Sequence, residues 1–264
     1  MSATLIGTSH GTDDAAGQAA VRALLDGVRV ARPDLDVREA FVDVQQPEVG
    51  DVLAEAVRDA RAAARSGGRS GGQDDEGGPD AVVVPVLLST GYHVRHDIAQ
   101  AVATVNATAE GSAVAADPLG PHPLLVDILA DRYAAAEAAH GPFRPDDAVV
   151  LAAAGSSVAA AATAVEEVAS GLAQRLGRPV TPSYGAGAEP RVSDAVAAAR
   201  AGTSGSGRVI VVSYLLAPGY FLDRVLEAGA DVVTDPVAGP AGADKPDPRL
   251  VQVVLDRYDA AVSP

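Results

Sequence analysis

Three side chains that suit metal chemistry follow separate apolar runs in the first half of the chain. His10 follows the run near residues 3–8, Asp43 ends an alternating run at 36–43, and His93 comes shortly after the run at 81–88. Two imidazoles and a carboxylate are the donors that borderline divalent metals such as iron, cobalt, nickel or zinc accept. We therefore predict that His10, Asp43 and His93 form a site for divalent-metal chemistry.

The elements that must position these residues are predicted to be parallel strands. Each apolar run is followed by a helical pattern, and strands that alternate with helices favour an α/β fold with a parallel sheet. The carboxyl ends of such strands share one edge, where ligands bind in open sheets. Pro47 is predicted to begin a helix over 47–65, and Pro85 is an irregularity in the run at 81–88. The Gly- and Asp-rich stretch at 66–79 is predicted to be a flexible surface loop.

The composition excludes several classes of protein. The chain has 264 residues and no cysteine, so disulfides and thiolate metal sites are excluded. With 20 basic and 35 acidic residues its net charge is −15, which argues against a nucleic-acid partner. We find no signal peptide and no apolar run that could span a membrane, and therefore expect a cytoplasmic protein with no membrane partner.

The second half of the chain repeats the plan of the first. Aligning His10 with Ala154 gives an offset of 154 − 10 = 144, and the sequence LADRYAAA at 129–136 is echoed by LDRYDAA at 255–261. This internal duplication predicts two similar domains, at 1–140 and 145–264. Each is expected to hold a mainly parallel four-stranded sheet flanked by helices.

The reactive residues are not repeated with the scaffold. His10 aligns with Ala154, His93 aligns with Phe221, and Asp43 falls opposite about Ala186. The alternative interpretation is that both histidines only satisfy backbone groups of their loops. Their loss from the second half, where the turns persist, favours a functional role.

Three short motifs in the first half resemble those of the sirohydrochlorin chelatases. They are SHGT at 9–12, FVD at 41–43 and GYHVRHDI at 91–98, and PLGPHP at 118–123 is similar to the loop before the last helix of that family. The similarity covers about residues 4–136. The whole chain resembles the two-domain form of the family, with a degenerate second half.

The resemblance implies a lyase that inserts cobalt or iron into sirohydrochlorin, or a related tetrapyrrole, for sirohaem or cobalamin biosynthesis. The divalent metal is then a substrate, and no organic cofactor is expected. His10 and His93 would be the metal-handling pair, whereas Asp43 stands where a glutamate is usual. The first domain would carry the metal site and the second would form the opposite wall of a cleft. We expect a monomer or a homodimer.

The predicted substrate carries carboxylates although the protein is acidic, so local donors must bind it. Backbone groups at helix N-termini are suitable donors for anions. The residues predicted to bind the tetrapyrrole are Gly11, Thr12, Gly91, Tyr92, Gly155 and Ser156.

Other residues and functions have weaker support in the sequence. His96 could assist His93 or face solvent, Asp97 could cap its helix, and His122 could line the cleft or serve a structural role. Arg95 and Arg224 could contact an anionic ligand or simply face water. One alternative function is a metal or tetrapyrrole carrier without turnover. Another is a histidine phosphatase, although Ser9 stands where those enzymes need an arginine.

Overall fold

The computed structural model describes residues 2–66, 78–89, 91–108, 111–203, 205–243 and 245–263, with the backbone alone at Ser66, Tyr92 and His93. Within these residues, strands and helices alternate along the chain. The first half contains β1 (Thr4–Ser9), α1 (Ala15–Ala31), β2 (Val37–Phe41), α2 (Val49–Ser66), β3 (Ala81–Pro85), α3 (Tyr92–Ala107), β4 (Ala113–Ala115) and α4 (Pro123–His140). The second half contains β5 (Ala148–Ala153), α5 (Ala159–Leu176), β6 (Val180–Tyr184), α6 (Val192–Gly202), β7 (Val209–Tyr214), α7 (Tyr220–Leu226), β8 (Val232–Val233) and α8 (Pro248–Val262).

The strands form two parallel four-stranded sheets, with the orders β2-β1-β3-β4 and β6-β5-β7-β8. The inner strands β1, β3 and β7 are buried along their whole length, as expected for apolar strands covered on both faces by helices. The predicted α/β class with a duplicated, helix-flanked parallel sheet is therefore confirmed.

The duplication extends to single hydrogen bonds in the loops. The backbone N–H of Asp43 donates to the His10 carbonyl at 3.0 Å, and that of Ala186 donates to the Ala154 carbonyl at 2.8 Å. These are the positions that the sequence alignment had paired.

Two of the expectations about proline are changed by the structure. Pro47 does not begin a helix, because α2 starts at Val49 and the Pro47 carbonyl accepts the N–H of Phe41 at 3.0 Å. The run at 81–88 is a strand only as far as Pro85. Pro85 has no N–H to donate, but the contact with β1 extends one residue further, because the N–H of Val86 donates to the Thr8 carbonyl at 2.8 Å. The predicted loop at 66–79 lies, for residues 67–77, outside the described residues.

The last helix of each half packs on the sheet of the other half. Helix α8 packs against α1 and β3, and α4 packs against α5 and β7. The hydroxyl of Tyr258 in α8 donates to the Ala3 carbonyl, just before β1, at 2.7 Å. One continuous apolar core consequently contains residues of both sheets. No helix in the described part of the chain is long and apolar enough to cross a membrane.

Candidate active site

His10 lies at the carboxyl end of β1, in a turn that requires glycine. Its side chain is exposed, and the next residue, Gly11, has a φ of 91°. A Cβ atom at Gly11 would overlap the carbonyl oxygen of Asp43. Glycine thus lets the loops after β1 and β2 come together, which brings the backbones of His10 and Asp43 into hydrogen-bond contact.

Asp43 is exposed and is followed by an unusual residue. Its Oδ1 accepts the N–H of Val44 at 2.7 Å, and Val44 has a φ of 59°. The corresponding residue of the second half is Gly187, with a φ of 70°. A β-branched residue therefore occupies, beside Asp43, a backbone conformation that the second half gives to glycine.

His93 lies in the first turn of α3, directly after the loop that follows β3. Strand β3 pairs with β1, so His10 and His93 follow neighbouring strands at the same edge of the sheet. The side chains of His93 and Tyr92 lie outside the described part of the structure, and the predicted approach of the two imidazoles stays a prediction. Gly91 is the N-cap residue of α3, whereas Asp97 lies inside the helix and does not cap it.

The carboxyl edges of the two sheets face each other. A Cβ atom at Gly91, after β3, would lie 3.9 Å from Oγ of Ser156, after β5. A Cβ atom at Gly219, after β7, would lie 3.9 Å from Oγ1 of Thr12, after β1. The loops that carry His10 and His93 thus meet the corresponding loops of the second half.

The residues predicted to bind substrate lie in turns before the helices, except Tyr92, which is the first residue of α3. The N–H of Thr12 donates to Oε1 of Gln45 at 3.0 Å, and Asp14 caps α1 by accepting the Gly17 N–H at 2.6 Å. Oγ of Ser156 accepts the N–H of Val158 at 3.1 Å. These bonds order the turns, and a role of the turns in substrate binding stays a prediction.

His122 has a structural role in the protein. As the N-cap of α4 it accepts the Leu124 N–H on Nδ1 at 3.2 Å, and its Nε2 lies 3.2 Å from Oδ2 of Asp256. Burial, followed by the positive charge of Arg257, lowers the pKa of the His122 imidazole, although Asp256 opposes this. His96 is exposed in α3.

A cavity of about 540 Å³ lies beside this site and was not predicted from the sequence. It is bordered by α3, the loop between β4 and α4, and the beginning of α5, with Arg95 and Arg257 in its wall. Arg95 is a candidate for anion binding in the sequence analysis. Arg257 is not, because it belongs to α8, a helix of the second half. Among the described side chains, which do not include His93, no three His, Asp or Glu residues form a metal-binding cluster.

Comparison with known proteins identifies a family and a fold. The model of the CbiX family matches residues 72–136 and 148–261. SirB from Bacillus subtilis with Fe³⁺ has a TM-score of 0.74 and 18% identity, over 100% of this chain and 96% of that chain. The sirohydrochlorin chelatase SirB from subspecies spizizenii in complex with cobalt has a TM-score of 0.68 and 17% identity, over 99% of this chain and 96% of that chain.

A third solved structure is similar along its whole length. It is CbiX, described as the terminal enzyme for biosynthesis of siroheme in denitrifying bacteria, with a TM-score of 0.59 and 20% identity, over 98% of this chain and 100% of that chain. At these identities the structural likeness establishes the fold. No curated protein matches the chain.

Proposed function

The chain belongs to the CbiX family, and from that premise we propose that it is a chelatase that inserts a divalent metal ion, iron or cobalt, into sirohydrochlorin. The observation that carries the proposal is the meeting of the loops after β1 and β3 with those after β5 and β7. The sequence has His10 and His93 after β1 and β3, whereas the residues aligned with them in the second half are Ala154 and Phe221. The known solved relatives include SirB structures with Fe³⁺ and with cobalt.

In this proposal, His10 and His93 hold the incoming metal ion through neutral imidazoles. Insertion also requires the loss of two pyrrole N–H protons, which Asp43 or an imidazole can accept. Residues 1–140 carry these groups, and residues 145–264 provide the opposite wall of the cleft. The turns at Gly11, Thr12, Gly91, Tyr92, Gly155 and Ser156 contact the tetrapyrrole.

The proposal is tested by removing each imidazole separately. We expect His10→Ala and His93→Ala each to reduce metal insertion at least about 100-fold, because each removes a metal ligand or proton acceptor. The assay follows the absorbance of sirohydrochlorin with Fe²⁺ and with Co²⁺. His140→Ala, at the exposed end of α4, is the matched control and should retain activity.

Circular dichroism should show that all three variants remain folded. Activity within a few-fold of the wild type in both His10→Ala and His93→Ala would contradict the assigned roles. Steady-state formation of more than one equivalent of product per protein separates an enzyme from a carrier. Comparison of the two ions addresses the choice between sirohaem and cobalamin biosynthesis.

A further inference from the structure

The cavity of about 540 Å³ begins one strand away from His10. Pro85, in its wall, pairs with Thr8 in the register of β3 and β1. Its opposite wall comes from the second half and consists of small residues at the start of α5, among them Ala161 and Ala164. The volume lies within the range of small-molecule sites, and the small side chains leave room for a ligand that extends from the neighbouring cleft.

Two guanidinium groups border this cavity without a carboxylate partner among the described residues. Arg257 reaches it from α8 and donates through Nη2 to the carbonyls of Leu119 at 3.0 Å and Pro121 at 2.6 Å. Its buried Nε has no hydrogen-bond partner. Arg95 is exposed in the first turns of α3, and the described ion pairs do not include it. Asp117, the acidic residue in the wall, is exposed.

The corresponding loop of the second half is longer and packs differently. The loop before α4 has seven residues (116–122), whereas the loop before α8 has 14 (234–247). Pro240, Ala243 and Pro246 of the longer loop pack against α1 and leave a space of only about 30 Å³. The longer loop thus covers α1, whereas the start of α5 faces the cavity of about 540 Å³.

The arginines at the equivalent positions of the second half differ in one respect from Arg95 and Arg257. Arg224, which corresponds to Arg95, pairs with Glu227 at 3.3 Å. Arg132, which corresponds to Arg257, donates to the Val237 carbonyl at 3.2 Å beneath the longer loop, and its buried Nε, like that of Arg257, has no hydrogen-bond partner. Among the described residues, neither guanidinium group of the cavity of about 540 Å³ is in an ion pair with a carboxylate, whereas Arg224 of the second half is paired with Glu227.

We propose that this cavity binds carboxylate side chains of the tetrapyrrole substrate through Arg95 and Arg257. The inference rests on the proposed function, because it assigns a subsite for that substrate. Guanidinium groups bind carboxylates through charge-assisted hydrogen bonds. The two positive charges of Arg95 and Arg257 exceed the single negative charge of Asp117 in the cavity wall. An acidic protein thereby gains a local cationic site for an anionic substrate.

The test measures binding of metal-free sirohydrochlorin by absorbance titration. We expect Arg95→Gln to weaken binding about tenfold, the usual effect of losing one charge-assisted hydrogen bond. Arg224→Gln, at the corresponding exposed position of α7, should leave binding unchanged. The affinity of the wild type should fall with added salt more steeply than that of Arg95→Gln. An equal effect of the two substitutions overturns the proposal.

Three further variants test the half-buried Arg257 and the cavity itself. Arg257→Lys keeps the charge but loses the planar group, and is expected to weaken binding by a smaller factor than Arg257→Gln. Ala164→Leu keeps both arginines and reduces the cavity, and should weaken binding about tenfold as well. Unchanged binding in Ala164→Leu means that the tetrapyrrole does not enter the cavity and contradicts the proposal.

A failure of the proposed function can be distinguished from a failure of this subsite. Uroporphyrin carries more carboxylates than coproporphyrin, and both can be titrated in the absence of any metal. A preference for uroporphyrin that disappears in Arg95→Gln supports the carboxylate subsite even if the protein inserts no metal. Equal affinity of the wild type for the two porphyrins overturns the subsite even if metal insertion is observed.

Discussion

At the scale of single residues, Val44 shows that the backbone is strained next to the candidate site. A β-branched residue with a φ of 59° costs on the order of 1–3 kcal/mol relative to a relaxed conformation. The structurally equivalent Gly187 adopts a similar φ without that cost. Val44 is the only non-glycine residue with a positive φ in the described part of the chain, and such outliers concentrate at functional sites.

Replacing Val44 by glycine should therefore stabilise the protein. We expect Val44→Gly to raise the free energy of unfolding by about 1 kcal/mol, because relief of strain exceeds the added entropy of the unfolded chain. Urea denaturation measures the change. The opposite substitution, Gly187→Ala, should destabilise the protein, because its Cβ would contact the backbone of Ser156 at 2.5 Å. A loss of stability in Val44→Gly would show that the valine is not strained.

At the scale of elements, the N-terminus of α4 depends on a neutral histidine. Nδ1 of His122 can accept the Leu124 N–H only when it carries no proton. The charged groups that face the ring are Asp256, at 3.2 Å, and Arg257. Burial, together with Arg257, lowers the pKa of His122 in the folded protein below its ordinary value, so the unfolded chain binds the proton more readily.

This difference predicts a loss of stability in acid. As the pH falls below about 6.5, the unfolded chain takes up a proton at His122 before the folded protein does, and the free energy of unfolding decreases until the lowered pKa is passed. His122→Asn can still cap α4 but does not titrate. We expect its stability to change less than that of the wild type between about pH 7.5 and about pH 5.5. Thermal unfolding at several pH values measures the stability of the wild type and of His122→Asn. His140→Ala is the control, and its stability should depend on pH as that of the wild type does. Equal pH dependence of His122→Asn and the wild type would exclude this role.

The sequence predicts elements well where the signal is local. Apolar runs identified β1 and β3, and the strand ends placed His10 and Asp43 in neighbouring loops, because parallel strands share an edge. The start of α2 was misplaced, since proline at a helix start and proline before a helix look alike in sequence. The suggested capping role of Asp97 also failed, because the N-cap of α3 is Gly91. A cap is defined by backbone geometry, which the residue type alone does not specify.

At the scale of the whole molecule, the exchange of α4 and α8 could not be predicted. The motifs LADRYAAA and LDRYDAA identify equivalent helices, but equivalent helices can pack on either sheet without any change of sequence. The position of Arg257 in the wall of the first-half cavity therefore could not be predicted from the sequence. The exchange also makes each sheet dependent on a helix of the other half, which joins the two halves through one apolar core.

This dependence predicts that a destabilising substitution in α8 also destabilises the first sheet. Leu250 is fully buried in α8, and Leu250→Ala should cost about 2–5 kcal/mol through the cavity it leaves. Because α8 packs on β3, amides of β3 should lose hydrogen-exchange protection, although β3 lies far from Leu250 in sequence. Leu129 in α4 is also fully buried, and Leu129→Ala is the matched variant. It should reduce the hydrogen-exchange protection of amides in β7. If Leu250→Ala reduced protection only within residues 145–264, the two halves would be energetically independent. Helix α8 would then contribute nothing to the stability of β3, and the two sheets would not share one core.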